Sequence, residues 1–98
     1  MKIEISMNAA AVILKLIGRL DTTSAPELEA ELDNCLKGTT EFVMDFEELK
    51  YISSAGLRVV LKAQKIMNTQ GSMKLIHVND SIKEVLDITG FVDILTIE

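Results

Sequence analysis

An α/β domain with a mainly parallel sheet is the fold this chain predicts, and three observations carry it. Apolar residues switch repeatedly between a spacing of two and a spacing of three to four, in the order β-β-α-β-α-β-α with a short apolar end. The first two strand-like segments are separated by a short turn and should pair antiparallel. Each later strand follows a helix and should run parallel to its neighbour through a right-handed crossover. The length, 98 residues, suits one domain with one modest core. The expectation is a single domain over residues 1–98 with a four- to five-stranded, mostly parallel sheet, an antiparallel N-terminal edge, and helices packed on it.

Residues 2–6 (KIEIS) alternate, with Ile3 and Ile5 on one face, and read as a half-buried strand. Met7 to Ala9 reads as a turn. Residues 11–17 (AVILKLI) have the aliphatic content of a central strand, and Gly18 to Thr23 is expected to break it. Ser24 with Glu27 has the spacing of a capping box, and Pro26 suits a first helical turn. The helix should run to about Lys37, burying Ala25, Leu28, Leu32, Cys35 and Leu36, with Gly38 as its stop. Residues 41–46 (EFVMDF) read as the next strand. A second helix should span about Ala55 to Gln70 and end at Gly71. Residues 73–78 (MKLIHV) read as a third parallel strand. Asn79 or Asp80 should cap a third helix, with Ser81 and Glu84 as an alternative box and Gly90 as the stop. The last residues, FVDILTIE, suggest a short strand or edge segment.

Composition narrows the function. Lys and Arg total 10 against 15 for Asp and Glu, a net charge of −5 and a pI near 4.8. That sign disfavours direct nucleic-acid binding, which draws its affinity from neutralising phosphates. It also disfavours an anionic membrane surface. No apolar run approaches the roughly 20 residues of a membrane span, so no membrane insertion is expected. A single cysteine, Cys35, excludes an intrachain disulfide. With no secretory signal pattern, the expected setting is cytoplasmic.

The chemistry concentrates in Asp45 to Leu61, DFEELKYISSAGLRVVL, where a strand hands over to a helix. Ligands and modified groups on parallel sheets gather at such corners. Ser53 and Ser54 precede a helical turn with unpaired amides and a partial positive charge. A phosphate on either would be stabilised there, and it would add a charge of about −1.5 to −2. A serine here also needs no explanation beyond N-capping, and the two readings coexist, because one hydroxyl can cap while the other stays free. Gly56 lets another backbone approach closely.

The stretch KYISSAGLRVVL resembles the signature of anti-sigma factor antagonists of the STAS domain family (sulfate transporter and anti-sigma factor antagonist), and the upstream GRLDTTSAPEL resembles the same family's loop-to-helix segment. The resemblance covers essentially the whole chain and implies a STAS-like fold. In that family an Asp-Ser-Ser/Thr/Ala-Gly-Leu motif carries a phosphorylatable serine. Aligning Gly56 and Leu57 puts that serine at Ser54. The family's aspartate falls on Ser53, and the following position is Ala55, so this chain lacks the usual neighbouring charge and carries a second hydroxyl instead. The resemblance implies a partner switch without catalysis by this chain. The unphosphorylated protein binds an anti-sigma factor that is also a serine kinase, a sigma factor is released, and phosphorylation of Ser54 ends the complex until a serine phosphatase resets it. The same family supplies a rival, a phosphorylation-independent subunit of a lipid or anion transport assembly.

The contact surface expected on this basis comprises Leu20, Asp21, Thr22 and Thr23, the corner Ser53, Ser54, Ala55 and Gly56, and Arg58 and Lys62 on the exposed side of the second helix. Arg58, Lys62 and Lys65 share one stripe, which reads either as a solvated face or as a match for an acidic partner. Arg58, four residues past Ser54, is a candidate to reach a phosphate. The expected state is a monomer or weak dimer. His77 has no second histidine near it, so no metal site is expected and the residue reads as structural. The chain has neither a G-x-S-x-G elbow nor a Gly-rich phosphate loop, and no cofactor is expected.

Overall fold

The computed structural model describes residues 1–98. Its elements are β1 (Lys2–Asn8), β2 (Ala11–Leu20), α1 (Ala25–Cys35), β3 (Glu41–Ile52), α2 (Ser54–Asn68), β4 (Ser72–Ile76) and α3 (Asp80–Thr89), followed by one 3-10 turn at Phe91–Asp93. The sheet order is β1-β2-β3-β4. β1 pairs antiparallel with β2, and the remaining pairs are parallel. The C-terminal segment adds only a bridge, Leu75 with Ile97, so the sheet has four strands rather than five.

One face of the sheet is covered. Val12, Leu14 and Leu16 of β2 and Phe42, Met44 and Phe46 of β3 point into a core of 24 buried residues, with Leu28 and Leu32 of α1, Val60, Ala63 and Met67 of α2, and Ile82 and Leu86 of α3. The period-two pattern of the strands meets the helical stripes there. The alternate strand positions face the other way: Ile13 is exposed, and Lys15, Val43 and Asp45 are half-buried.

Two strands are longer than their apolar patterns suggest. β2 does not break at Gly18. That residue takes φ 107°, a conformation glycine adopts without the Cβ penalty, and pairing continues to Leu20. β3 runs six residues past Phe46. From Lys15 to Leu20 the register advances five steps while β3 advances seven, from Asp45 to Ile52. Two bulges therefore place extra residues on β3. Its buried positions change from 42, 44, 46 to 46, 49, 52, a spacing no regular strand shows.

The Met7–Ala9 turn is displaced by a residue: Asn8 pairs with Ala11, leaving Ala9 and Ala10 as the turn, with Ala9 at φ 56°. Helix α1 buries the expected face but lacks the expected capping box. The Ser24 hydroxyl donates to the Arg19 carbonyl (2.8 Å) and accepts from the Asp21 amide (2.9 Å) instead. β4 stops at Ile76, and His77 follows in the left-handed region at φ 56°. Asn79 does cap α3, accepting from the Ile82 amide at 2.9 Å, and Gly90 closes it at φ 78°.

Candidate functional site

The serine corner is built from the C-terminal ends of β2 and β3. The Ser53 amide donates to the Leu20 carbonyl at 2.8 Å, fixing the end of β3 to the end of β2. Ser53 is extended (φ −96°, ψ 173°) and is the N-cap of α2. Its Oγ accepts from the Gly56 amide at 3.2 Å, and its carbonyl accepts from Leu57 at 2.9 Å. The capping role therefore falls to Ser53. Ser54 is the first helical residue, exposed, with its hydroxyl left at the positive end of a fifteen-residue helix.

Gly56 is buried because the corner is tight. A Cβ there would lie 2.6 Å from Leu20 Cγ and 3.0 Å from the Leu20 carbonyl oxygen. Leu20 is itself fully buried, so its side chain cannot swing aside. Gly56→Ala is expected to destabilise the fold by about 1–3 kcal/mol, since overpacking outweighs the gain of at most about 1 kcal/mol from alanine's helical preference. A thermal melt checks this, with a raised melting temperature as the contrary result. The same packing corrects the expected contact surface. Leu20 and Gly56 support the site from beneath, and neither side of that contact is open to a partner.

The loop that faces the corner is held by Asp21. Its Oδ1 accepts from the amides of Thr23 (3.0 Å) and Ser24 (3.1 Å). The Ser24 amide, followed by the Thr23 amide and the Ser24 hydroxyl, holds the Asp21 carboxyl below its ordinary range against partial desolvation. Asp21 is thus a strut of the loop, while Thr22 and Thr23 are exposed at its tip. A shallow groove runs from Thr22, Ala25 and Pro26 to Ala55 and Arg58, with Glu29 and Val59 on its walls. Arg58 therefore lies beside the corner. Lys62 is drawn the other way, its Nζ 3.6 Å from both Glu29 and Asp33 of α1. The expected stripe of three cations is interrupted by an inter-helix ion pair, with Lys65 exposed beyond it.

Asp45, within β3, and His77, just past the end of β4, meet beside the last β3–β4 pair, Asp45 with Ile76. His77 Nδ1 is 2.9 Å from Asp45 Oδ1 and 3.8 Å from Glu47 Oε2. Burial pushes the Asp45 carboxyl up, but the His77 contact and the Glu47 amide outweigh it and hold it below the ordinary range. Both Asp21 and Asp45 are more acidic folded than unfolded. Their contribution is complete above the unfolded carboxylate value of about 3.9 and is lost as pH falls through the lower folded values. Stability is therefore expected to fall on acidification below about pH 4, and Asp45→Asn should flatten that fall when melts are compared from pH 2 to 6.

Sequence reasoning missed one pair at this end of the sheet. Arg19 and Tyr51 are register partners on β2 and β3, and the Arg19 guanidinium sits 4.3 Å from the Tyr51 ring centroid. The signal available was that Arg19 and Tyr51 each immediately precede a buried residue of the corner, Leu20 and Ile52.

A four-stranded sheet with an antiparallel first strand, three helices on one face and a capped serine corner defines a class of small α/β domains, and comparison places the chain in it. The profile of the STAS domain matches residues 2–98; the chain belongs to the STAS domain family. The Bordetella bronchiseptica protein BtrV, assigned provisionally as an anti-sigma factor antagonist, is 37% identical over 99% of this chain and 85% of its own length. Among solved structures, an anti-sigma factor antagonist of Thermotoga maritima, also provisionally assigned, superposes with a TM-score of 0.89 at 20% identity, covering 97% of this chain and 84% of the other. The anti-sigma factor antagonist SpoIIAA in its unphosphorylated form gives 0.78 at 18% identity, over 99% and 87%. At these identities the two structures establish the fold. No helix is long and apolar enough to cross a membrane.

Proposed function

We propose that this chain is an anti-sigma factor antagonist switched by phosphorylation at Ser54. The observation that carries the reading is the division of labour between the serines. Ser53 caps the helix and leaves the neighbouring Ser54 exposed, at a helix start suited to receive an anion. The name carried by BtrV, 37% identical over nearly the whole chain, supports the assignment of the partner class.

The unphosphorylated corner, with Thr22, Thr23, Ala55 and Arg58 around it, docks on an anti-sigma factor that is also a serine kinase. The sigma factor held by that protein is released. The kinase then transfers the γ-phosphoryl group of ATP to Ser54 Oγ. An Oγ–P bond forms, the hydroxyl proton passes to a base on the kinase, and ADP leaves. A dianion now sits at the centre of the contact. A buried charge without a matching cation costs several kcal/mol, and about 1.4 kcal/mol is already tenfold in affinity. The complex separates, and a serine phosphatase restores the hydroxyl by hydrolysis. This chain supplies the surface and the acceptor and performs no catalysis itself.

The test is displacement. The cognate anti-sigma factor, loaded with its sigma factor, should release the sigma factor on titration with the wild-type protein. Persistence of the sigma complex at saturating antagonist would contradict the proposal, and a stable complex with a transport protein instead would favour the rival reading within the family.

A further inference from the structure

We propose that Arg19, stacked on Tyr51, is a second anchor of the partner surface and receives a carboxylate from an acidic segment of the anti-sigma factor; this rests on the partner reading above. The two residues occupy the rung next to the corner. Arg19 pairs with Tyr51, Leu20 with Ile52, and Ser53 then closes onto Leu20. Leu20 and Ile52 point into the core, so Arg19 and Tyr51, one position earlier, point to the uncovered side of the sheet.

Three features set this pair apart from an ordinary surface contact. Despite the stacking, the Arg19 side chain is 63% exposed and Tyr51 is 41% exposed. The only acid near the guanidinium is Asp21, whose Oδ2 is 3.9 Å from Nε, beyond hydrogen-bond reach. Its partner oxygen already serves the Thr23 and Ser24 amides. The planar, five-donor guanidinium is therefore held in place by the ring with its donors unspent. The Arg19 backbone is fixed as well, since its carbonyl accepts from the Ser24 hydroxyl.

The placement is continuous with the proposed contact. The loop at Asp21–Ser24 forms a ridge between two grooves. One is walled by Thr22, Ala55 and Arg58, the other by Arg19, Asp21 and Thr23. Each groove beside the ridge thus holds one arginine, with Glu29 beside Arg58 in the first and Asp21 and Glu27 beside Arg19 in the second. Neither groove carries excess positive charge, so it is the free guanidinium fork of Arg19, rather than the field of the surface, that selects a carboxylate. Tyrosine and arginine are the residue types that carry binding energy in small numbers, and a pre-stacked arginine loses little freedom when it pairs bidentately.

The experiment is calorimetric titration of the purified cognate anti-sigma factor with wild type, Arg19→Ala, Arg19→Lys, Tyr51→Ala and Tyr51→Phe, with a thermal melt of each. Arg19→Ala and Tyr51→Ala should each weaken binding about tenfold or more. The double variant should lose little beyond either one, because the two act as a unit. Tyr51→Phe should bind within about twofold of wild type, and Arg19→Lys should restore only part of the affinity, since an ammonium cannot form the fork. The wild-type affinity should also fall with salt more steeply than that of Arg19→Ala. Should Tyr51→Ala melt early, the Arg19 variants and Tyr51→Phe decide the matter. Wild-type affinity in Arg19→Ala, with Ser54→Asp still impaired, overturns the anchor and leaves the partner reading standing. No binding by the wild type removes the partner reading, and the anchor with it.

Discussion

Ser54→Asp is expected to bind the anti-sigma factor at least tenfold more weakly than wild type while folding as well or slightly better. The two halves of this result have opposite electrostatic origins. In the free protein the new carboxylate sits at the first position of α2, where the amides of the opening turn and the helix dipole favour an anion by about 0.3–1 kcal/mol. In the complex the same charge is enclosed. Desolvating an unpaired carboxylate costs several kcal/mol, of which about 1.4 kcal/mol already gives the tenfold loss. Arg58 lies on the groove beside the corner, yet an exposed pair contributes at most about 1 kcal/mol and cannot offset that cost. Ser54→Ala should bind like wild type, because the Ser54 hydroxyl does not cap the helix. Ser53→Ala should instead lower stability by about 0.5–2 kcal/mol through loss of the cap. Binding titrations beside thermal melts separate these effects; equal affinity for wild type and Ser54→Asp would contradict the switch.

Gly71→Ala is expected to be the most damaging single-methyl change in the chain, costing more than about 3 kcal/mol or preventing folding. A Cβ at Gly71 would lie 2.0 Å from the Thr40 carbonyl oxygen and 2.6 Å from its carbon. The obstacle is backbone, so no rotamer change relieves it, and the usual 1–3 kcal/mol for overpacking is a lower bound. The Thr40 carbonyl also accepts from the Ser72 amide at 2.9 Å, the contact that starts β4 beside β3. Gln70 reinforces the junction, its Nε2 donating to the Leu36 and Thr39 carbonyls. Separation of the Thr40 and Gly71 chains would therefore disturb the end of α1, the start of β3 and the start of β4 together. Denaturant unfolding reads the loss, and a shift under 1 kcal/mol would show the approach to be looser than this.

Gly71 also shows what a sequence reading captures and what it leaves out. That α2 stops near it is legible from the residues around it, although the helix ends at Asn68 with Thr69 as its C-cap and Gly71 lies in the turn beyond. The close approach to Thr40 is not, because it joins segments about thirty residues apart. The same line divides the rest. The order of elements, the buried face of α1, the Asn79 cap and the Gly90 stop depend on neighbours within one or two turns, and they are read from local pattern. The second half of β3 is hidden because bulges change the burial spacing from two to three at Phe46, Leu49 and Ile52, so the alternation that marks a strand disappears. Ser24 and Glu27 have the spacing of a capping box, but Asp21 and Arg19 claim the serine hydroxyl. Lys62 belongs to a helix stripe by spacing and to Glu29 and Asp33 by packing.

At the corner, two adjacent serines before a glycine point to an N-cap without saying which serine performs it. Ser53 does so because its amide is tied to the Leu20 carbonyl, and that tie depends on the β2–β3 register. The pairing of Arg19 with Tyr51 depends on the same register, displaced by both bulges, which is why neither residue stands out in the linear chain. The residues expected at the contact surface do gather at one corner of the fold, but they divide by burial: Thr22, Thr23, Ser54 and Arg58 are exposed, while Leu20 and Gly56 lie underneath.

Phosphorylation by the cognate anti-sigma kinase with ATP, followed by mass-spectrometric localisation of the phosphate, is the most direct measurement. One phosphate per chain at Ser54, absent in Ser54→Ala, retained in Ser53→Ala and accompanied by release of the kinase, is the predicted result. Phosphate at Ser53 or Thr22, or a fully labelled protein that still holds the kinase, would contradict it.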